Sequence, residues 1–504
     1  LNVGITTEST TELSLRLVVL LALVGQVFVV AASFGFLNGW VMAATLACCM
    51  AFVASGVWRV AQASSGAQLA TRNLWLLALL PLILLALYPP LAFDETLYHL
   101  PYIESIARSG AISFRGDIRF GVFPLLHELL CVPLFVAFGA TATHLMATLE
   151  LALLGALVIA WPARRDAGLL AAAIVLGNPA MLLPSSVTYV DVALTLFVAA
   201  GFFALQRERP LLAGFLLGTS TAVKYLGWFF VVAALLYVGR RWPKYIAGVA
   251  VGALPMLLRI FILTGDPLHP YLRHSWAGVG VSEGDAATRV LRFVRLLYDM
   301  TFAREYVNQQ PPYTPFFVLA LIIGIFVARR SRLGAICLAY LIAFVTVMPA
   351  DSRYLLPLVP LVAVAAAQFL TKYEPRTLRM IAIVAAIPLV LYPMYWIARR
   401  GLPPWRYDVH ERIPSLRALE HKGPGGVYVC GAEELKWFGK DELIGDHFGP
   451  YAYPTMARDG LPDVPWVLIS KRSCPERWRT PFTRNATRVY EDDAAELWKR
   501  TVAR

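Results

Sequence analysis

The sequence predicts an all-helical polytopic membrane protein that ends in a small α/β domain. Three observations carry this reading. Of its 504 residues, 58% are hydrophobic and only 15% are charged, whereas a soluble domain runs to about 25% charged. Apolar runs long enough for a bilayer, roughly 20 residues each, recur along the chain. Beyond residue 400 these runs shorten to strand length, with polar turns between them.

The elements follow in order. The stretch up to Glu12 is polar, and the apolar run after it lacks a small-residue cleavage site, so it reads as a retained helix. Segments near 15–35, 38–60, 73–92, 142–162, 167–184, 189–206, 211–224, 226–239, 244–264, 313–328, 332–349, 353–371 and 377–398 read as spans, about thirteen in all. Short loops carry basic clusters: Arg164-Arg165, Arg207 with Arg209, Arg240-Arg241 with Lys244, Arg329-Arg330 with Arg332, and Lys372 with Arg376. Such clusters belong on the cytoplasmic side. Much of the net charge of +12 is this bias, and basic residues scattered between apolar spans do not suggest nucleic-acid binding. Counting back from Arg164-Arg165 places 93–141 outside, provided the apolar stretch 120–139 does not cross. With His127, Glu128 and two prolines, that stretch reads as re-entrant or interface-lying. The run 211–239 has Lys224 at its middle and basic clusters at both ends, which suits two short helices with an external hairpin near Lys224. The N-terminus is then cytoplasmic and the last 105 residues are outside.

The external loop 265–312 holds Arg273, Arg289, Arg292, Arg295 and Arg304. Its segment ATRVLRFVRLLYDM spaces arginines by three, as in an amphipathic helix lying at the interface. In the tail, GVYVCG, PWVLIS and TRVYED read as strands, and SLRALEH and AEELKWFG as helical patches. Cys48, Cys49, Cys131 and Cys337 sit in apolar runs as packing residues. Cys430 and Cys474 stand in the tail either as a disulfide or as two core thiols. The chain thus divides into an N-terminal transmembrane hairpin with its cytoplasmic loop (1–72), a transmembrane core (73–399) with external loops 93–141 and 265–312, and an extracytoplasmic α/β domain (400–504).

Charged residues at one membrane face carry the chemistry. Asp94-Glu95, with His99 behind, follows a span directly; Asp191 opens another; Lys224 marks a break; Asp351-Ser352-Arg353-Tyr354 forms a short hairpin. Carboxylates at a membrane boundary are costly unless they are used or paired. A carboxylate can take a proton from an attacking hydroxyl, while Arg and Lys stabilise charge on a departing phosphate. No GxxxxGK[ST] loop is present, and a donor used outside the cytoplasm points to a lipid carrier rather than a nucleotide.

The stretch FDETLYHLPYIESIARSGAISF, after an apolar span, resembles the first external loop of the C-type (GT-C) glycosyltransferase superfamily. The closer likeness is to the branch of protein O-mannosyltransferases and lipid A aminoarabinose transferases. Asp191-Val192-Ala193-Leu194-Thr195-Leu196-Phe197, Val223-Lys224-Tyr225 and Arg353-Tyr354-Leu355-Leu356-Pro357 match later segments of that branch in order. The likeness runs from about residue 75 to 400 and includes a small external C-terminal domain. It departs in having two spans before the core and in having RFGVFPLLHELL where aminoarabinose transferases carry an FEKPP-like segment. No Asp-x-Asp lies in the first external loop, so no metal or other cofactor is expected to be required; His99, His127, His269 and His274 offer a divalent metal as the alternative, although scattered histidines are more often structural.

The resemblance and the charges together imply a bacterial inner-membrane glycosyltransferase. It would move a sugar from a polyprenyl-phosphate donor to a glycan, lipid or protein hydroxyl on the periplasmic or extracellular face. Asp94 is the expected general base, with Glu95 assisting or orienting it. Asp191 would position the acceptor or tune the acidic site. Lys224 and Arg353 would hold the lipid phosphate, Tyr354 would pack at its head group, His99 would join the substrate site, and Arg292 would guide lipid or acceptor. Direct displacement with one base inverts the anomeric carbon. The rivals are an O-antigen ligase- or polymerase-like transferase, which would rely on the arginine loop, and a transporter or flippase, which would show repeated halves and charges at midplane.

Overall fold

The computed structural model describes residues 2–63, 74–272, 291, 295, 298–302, 313–328, 332–348 and 351–501. Arg292, Arg273, Arg289 and Arg304 lie outside the described residues, as does the register of the arginine helix expected around them. The protein is mostly helical, with a five-stranded sheet at the C-terminal end.

Four helices among the described residues are long and apolar enough to cross a bilayer: Glu12–Ser33, Ala140–Ala160, Gly227–Thr264 and Pro375–Arg406. The pair Arg165–Leu176 and Pro179–Ser186, bent by 67°, adds a fifth if it counts as one span. The remaining apolar helices run 10–17 residues. Thirteen full-length crossings therefore do not emerge, and local chemistry explains the shortening. Asn178 accepts the Ala180 N–H at 3.3 Å and Pro179 starts a new turn, so the chain bends there. At Lys224 the backbone is extended and separates the helices Pro210–Val223 and Gly227–Val238.

Small residues set the tightest packing. Pro210–Val223 and Trp242–Thr264 run parallel, with Gly214 and Gly218 facing Gly248 and Gly252. A Cβ on Gly248 would run into the Leu211 carbonyl oxygen, and one on Gly252 into that of Phe215. Close approach through paired small residues is the usual way helices associate in lipid, where apolar burial supplies no drive.

The segment 120–139 contains one helix, Leu126–Phe138, buried over its first half. Both ends meet the C-terminal domain: Arg119 pairs with Asp446, and the Phe135 ring lies 6.1 Å from that of Trp437. The residues at both ends of the segment thus lie against the same C-terminal domain. At the opposite end of the bundle, Arg164 donates to the Thr371 carbonyl, Arg209 pairs with Glu12 at 3.0 Å and Arg241 with Glu208 at 3.2 Å.

The C-terminal sheet has the order β2-β1-β3-β5-β4, from β1 Val427–Cys430, β2 Leu443–Ile444, β3 Trp466–Ser470, β4 Ala486–Glu491 and β5 Ala495–Arg500. β1 is parallel to β2 and β3, while β5 is antiparallel to β3 and β4. Alternate residues of β1 and β3 serve opposite faces: Val427, Val429 and Leu468 pack with Leu416 and Leu419, and Tyr428, Val467 and Ile469 with Tyr453 and Phe482. Both faces being covered explains the uninterrupted apolar strands. Cys430 and Cys474 are joined as a disulfide.

Candidate active site

The site is built on a turn wound around a buried carboxylate. Glu95 opens a π-helical turn, Glu95–His99, and its side chain is fully buried. Its Oε1 receives the Thr188 N–H at 2.9 Å and faces His144 Nε2 at 2.5 Å, while Oε2 receives the Leu91 and Ala92 N–H groups at 3.2 Å. His144 is held in turn by the Ala86 carbonyl at 2.8 Å. Every oxygen of Glu95 is thus committed to fastening this turn to the neighbouring chain. Of the two expected places, assisting Asp94 or orienting it, this arrangement suits the second.

Asp94 faces the other way. Its Oδ2 receives Arg353 Nη1 at 2.6 Å, and its backbone N–H points to the Tyr189 hydroxyl at 3.4 Å. Arg353 rises from the turn Ser352–Leu355, where Asp351 accepts both its backbone N–H at 2.9 Å and its Nη2 at 3.0 Å. Its guanidinium lies over the Tyr189 ring at 4.9 Å and 3.9 Å from Asp191. Tyr313 donates to the Ser352 carbonyl at 2.7 Å and supports the turn from beneath.

Asp191 begins the helix Asp191–Gln206 and accepts Lys224 Nζ at 2.8 Å. Lys224 reaches it from the break between helices and lies 4.7 Å from the Tyr354 ring centroid. Asp94, Asp191, Lys224, Arg353 and Tyr354, read from distant parts of the sequence, are therefore brought together. Three carboxylates, counting Asp351, surround two cations here, so a bound phosphate must compete for Arg353 and Lys224 rather than find them idle.

His99 is not in the open part of the site. It is 2% exposed and its Nδ1 meets Glu128 Oε1 at 2.6 Å, with its ring 6.1 Å from that of Tyr189. The substrate contact expected of His99 would require this buried pair to open. A parallel buried pair, His127 with Glu150 at 3.0 Å, ties the helix Leu126–Phe138 to the helix His144–Ala160.

Two features were missed in the sequence. Tyr189 underlies Arg353, and only its position two residues before Asp191 hints at this. Arg119 forms a forked pair with Asp446 of the C-terminal domain at 2.6–3.0 Å, between the rings of Phe93 and Phe448 at 5.6 and 5.2 Å. Asp446 and Phe448 follow β2 and Glu433 follows β1, so the carboxyl ends of two parallel strands roof the site. Burial works against the Asp94 carboxylate, but Arg353, His99 and Arg119 hold its carboxyl down at about 2.

A model of glycosyltransferase family 87 matches residues 122–352. Two crystal structures of ArnT from Cupriavidus metallidurans, one in the apo state and one bound to undecaprenyl phosphate, share the fold. Each superposes with a TM-score of 0.55 at 14% identity, over 86% of this chain and 98% of that chain. The chain has the fold of these structures, and its middle part is similar to glycosyltransferase family 87. No curated protein sequence matches it. The region matched by the family model contains Asp191 and Lys224 but lies between Asp94 and Arg353 without including either. In this fold the two are joined only in space.

Proposed function

We propose that the chain is a membrane glycosyltransferase that takes a sugar from a polyprenyl-phosphate donor and passes it to an acceptor hydroxyl. The meeting of Asp94, Arg353, Asp191 and Lys224 at one end of a helical bundle is the observation that carries this reading. The donor phosphate binds Arg353 and Lys224, its prenyl chain running along the bundle in the bilayer. Engaging the phosphate draws the Arg353 guanidinium away from Asp94 and makes Asp94 the stronger base. Asp94 takes the acceptor's proton, the acceptor oxygen bonds to the anomeric carbon, and the bond from that carbon to the phosphate oxygen breaks. Prenyl phosphate leaves with its added negative charge balanced by the two cations. Attack opposite the leaving group inverts the anomeric centre. Tyr354 and Tyr189 fix the two cations by their ring faces.

The basic clusters gather at the far end of the bundle, and this positive bias supports a cytoplasmic position for that end and for the N-terminus, with the reaction on the outer face of a bacterial inner membrane. The resemblance between the bundle and a structure bound to undecaprenyl phosphate supports the class of donor. Residues 400–504 act as an outer roof, and no metal step is needed.

The test is transfer by the reconstituted full chain from radiolabelled undecaprenyl-phosphate sugars to acceptors in a membrane extract. Labelled product and free undecaprenyl phosphate should appear together, and Asp94→Asn should slow transfer by roughly 10²–10⁴-fold while donor binding persists. Near-normal transfer by Asp94→Asn would sink the base assignment, and use of diphosphate-linked donors alone would replace the donor class.

A further inference from the structure

At the end of the bundle away from Asp94, helix ends enclose a second cavity of about 540 Å³. Gln206 closes the helix Asp191–Gln206, Tyr237 lies at the end of Gly227–Val238, and Arg332 opens Arg332–Val347; Glu208 and Arg241 come from the turns between. The 16-residue helix Asp191–Gln206 separates this cavity from the catalytic end, by about 24 Å at the helical rise.

Two guanidinium groups line the cavity, and neither has a buried carboxylate partner among the described residues. Arg241 meets Glu208 at 3.2 Å, but both side chains are more than half exposed, where an ion pair contributes little. Arg332 has the Tyr237 carbonyl at 3.4 Å and the Tyr237 ring at 5.9 Å. Gln206 is fixed by Trp161 Nε1–H, which its carbonyl accepts at 2.7 Å. From this polar mouth the helix Gly227–Val238 presents Val232, Leu235 and Leu236 outward, 62%, 44% and 64% exposed. Their spacing of three and four places them on one stripe.

We propose that this cavity binds the phosphodiester headgroup of an anionic phospholipid, with an acyl chain along the Val232–Leu236 stripe. The phosphate sits between Arg241 and Arg332, and Gln206 and Tyr237 meet the headgroup hydroxyls. Basic pockets between spans collect anionic headgroups in this way. Free phosphate would share the cation chemistry, but only a lipid accounts for the apolar stripe leading from the mouth. Glu208 competes with the headgroup for Arg241.

The test uses the delipidated full chain in detergent, offered dioleoyl-phosphatidylglycerol, dioleoyl-phosphatidylcholine or inorganic phosphate, with retained lipid counted by native mass spectrometry. Phosphatidylglycerol should be retained over phosphatidylcholine. Arg241→Gln with Arg332→Gln should weaken that retention roughly thirtyfold, while Arg16→Gln, outside the cavity, leaves it unchanged. Glu208→Gln should strengthen retention, a gain that misfolding cannot produce. Equal retention by the double arginine variant, or equal binding of phosphatidylcholine, overturns the site. Displacement of the lipid by millimolar inorganic phosphate overturns the lipid as its occupant.

Discussion

Asp94 and Arg353 hold each other at 2.6 Å, and this contact, with His99 and Arg119 behind it, governs how Asp94 responds to pH. A carboxyl held at about 2 is ionised at every higher pH and gains its proton only as pH falls through that value. The parameter kcat/KM reports the free enzyme, and kcat the loaded one. The expected result is a kcat/KM profile with no acid limb from Asp94 above about pH 5. On the proposed function, in which the donor phosphate shares Arg353, the acid limb of kcat should lie higher. Steady-state rates at saturating and limiting donor between pH 4 and 9 check this; a kcat/KM limb centred near neutrality would contradict the pairing. At this scale the sequence was legible where charge stood alone at a span end, as with Asp94, Asp191, Lys224 and Arg353. Glu95 and His99 look equally available in the sequence but are engaged by buried partners. Their partners His144, Thr188 and Glu128 are 49, 93 and 29 residues away, and no local pattern announces such pairs. Tyr189 and Arg119 looked like an ordinary tyrosine and an ordinary loop arginine.

The glycines of Pro210–Val223 and Trp242–Thr264 position Lys224 by letting two backbones touch. Gly248→Leu adds a side chain where the Leu211 carbonyl already lies, so the helices must part. The cost should be about 3 kcal/mol or more, read as a lower unfolding temperature in detergent, with weaker donor binding because Lys224 shifts. Gly39→Leu is the control, since nothing lies within 4 Å of its added carbon. No loss at Gly248, or equal loss at Gly39, would refute the contact. Apolar length made the existence of these helices readable, and Lys224 made the break readable. Their true lengths were not. Asn178-Pro179 bends a run that hydropathy alone reads as one span, and partners inside the bundle let short helices stay buried. In the C-terminal domain β1, β3 and β4 were visible as apolar or branched runs. β5, AELWKR, was hidden because Glu496 and Lys499 break its alternation, although Trp466 to Ser470 pair along its whole length. β2, at two residues, offers too little pattern to see.

On the scale of the whole molecule, the C-terminal domain closes the catalytic end through a few charged and aromatic contacts. Lys436 meets Asp117 at 2.5 Å, Trp437 meets Phe135, and Arg119 meets Asp446 with side chains only 12% and 9% exposed. That a small sheet-bearing domain ends the chain was readable from composition. That the domain folds back over Asp94 was not, because Arg119 and Asp446 are 327 residues apart. Desolvated pairs of this kind react asymmetrically to mutation. Removing one partner leaves the other charge stranded, at about 3–5 kcal/mol, while replacing both with apolar side chains costs much less. Asp446→Ala should therefore loosen the domain, exposing the chain near residue 400 to protease and lowering the unfolding temperature. Arg119→Met with Asp446→Leu should recover most of that loss, giving a coupling of at least about 2 kcal/mol in a double-mutant cycle. Transfer should not recover with it. Arg119 also contributes to the field that keeps Asp94 ionised, so the docked double variant tests whether the roof serves the reaction or only covers it. Additive stability losses would mean the pair does not hold the domain; full recovery of transfer would mean that Arg119 acts only as a fastening.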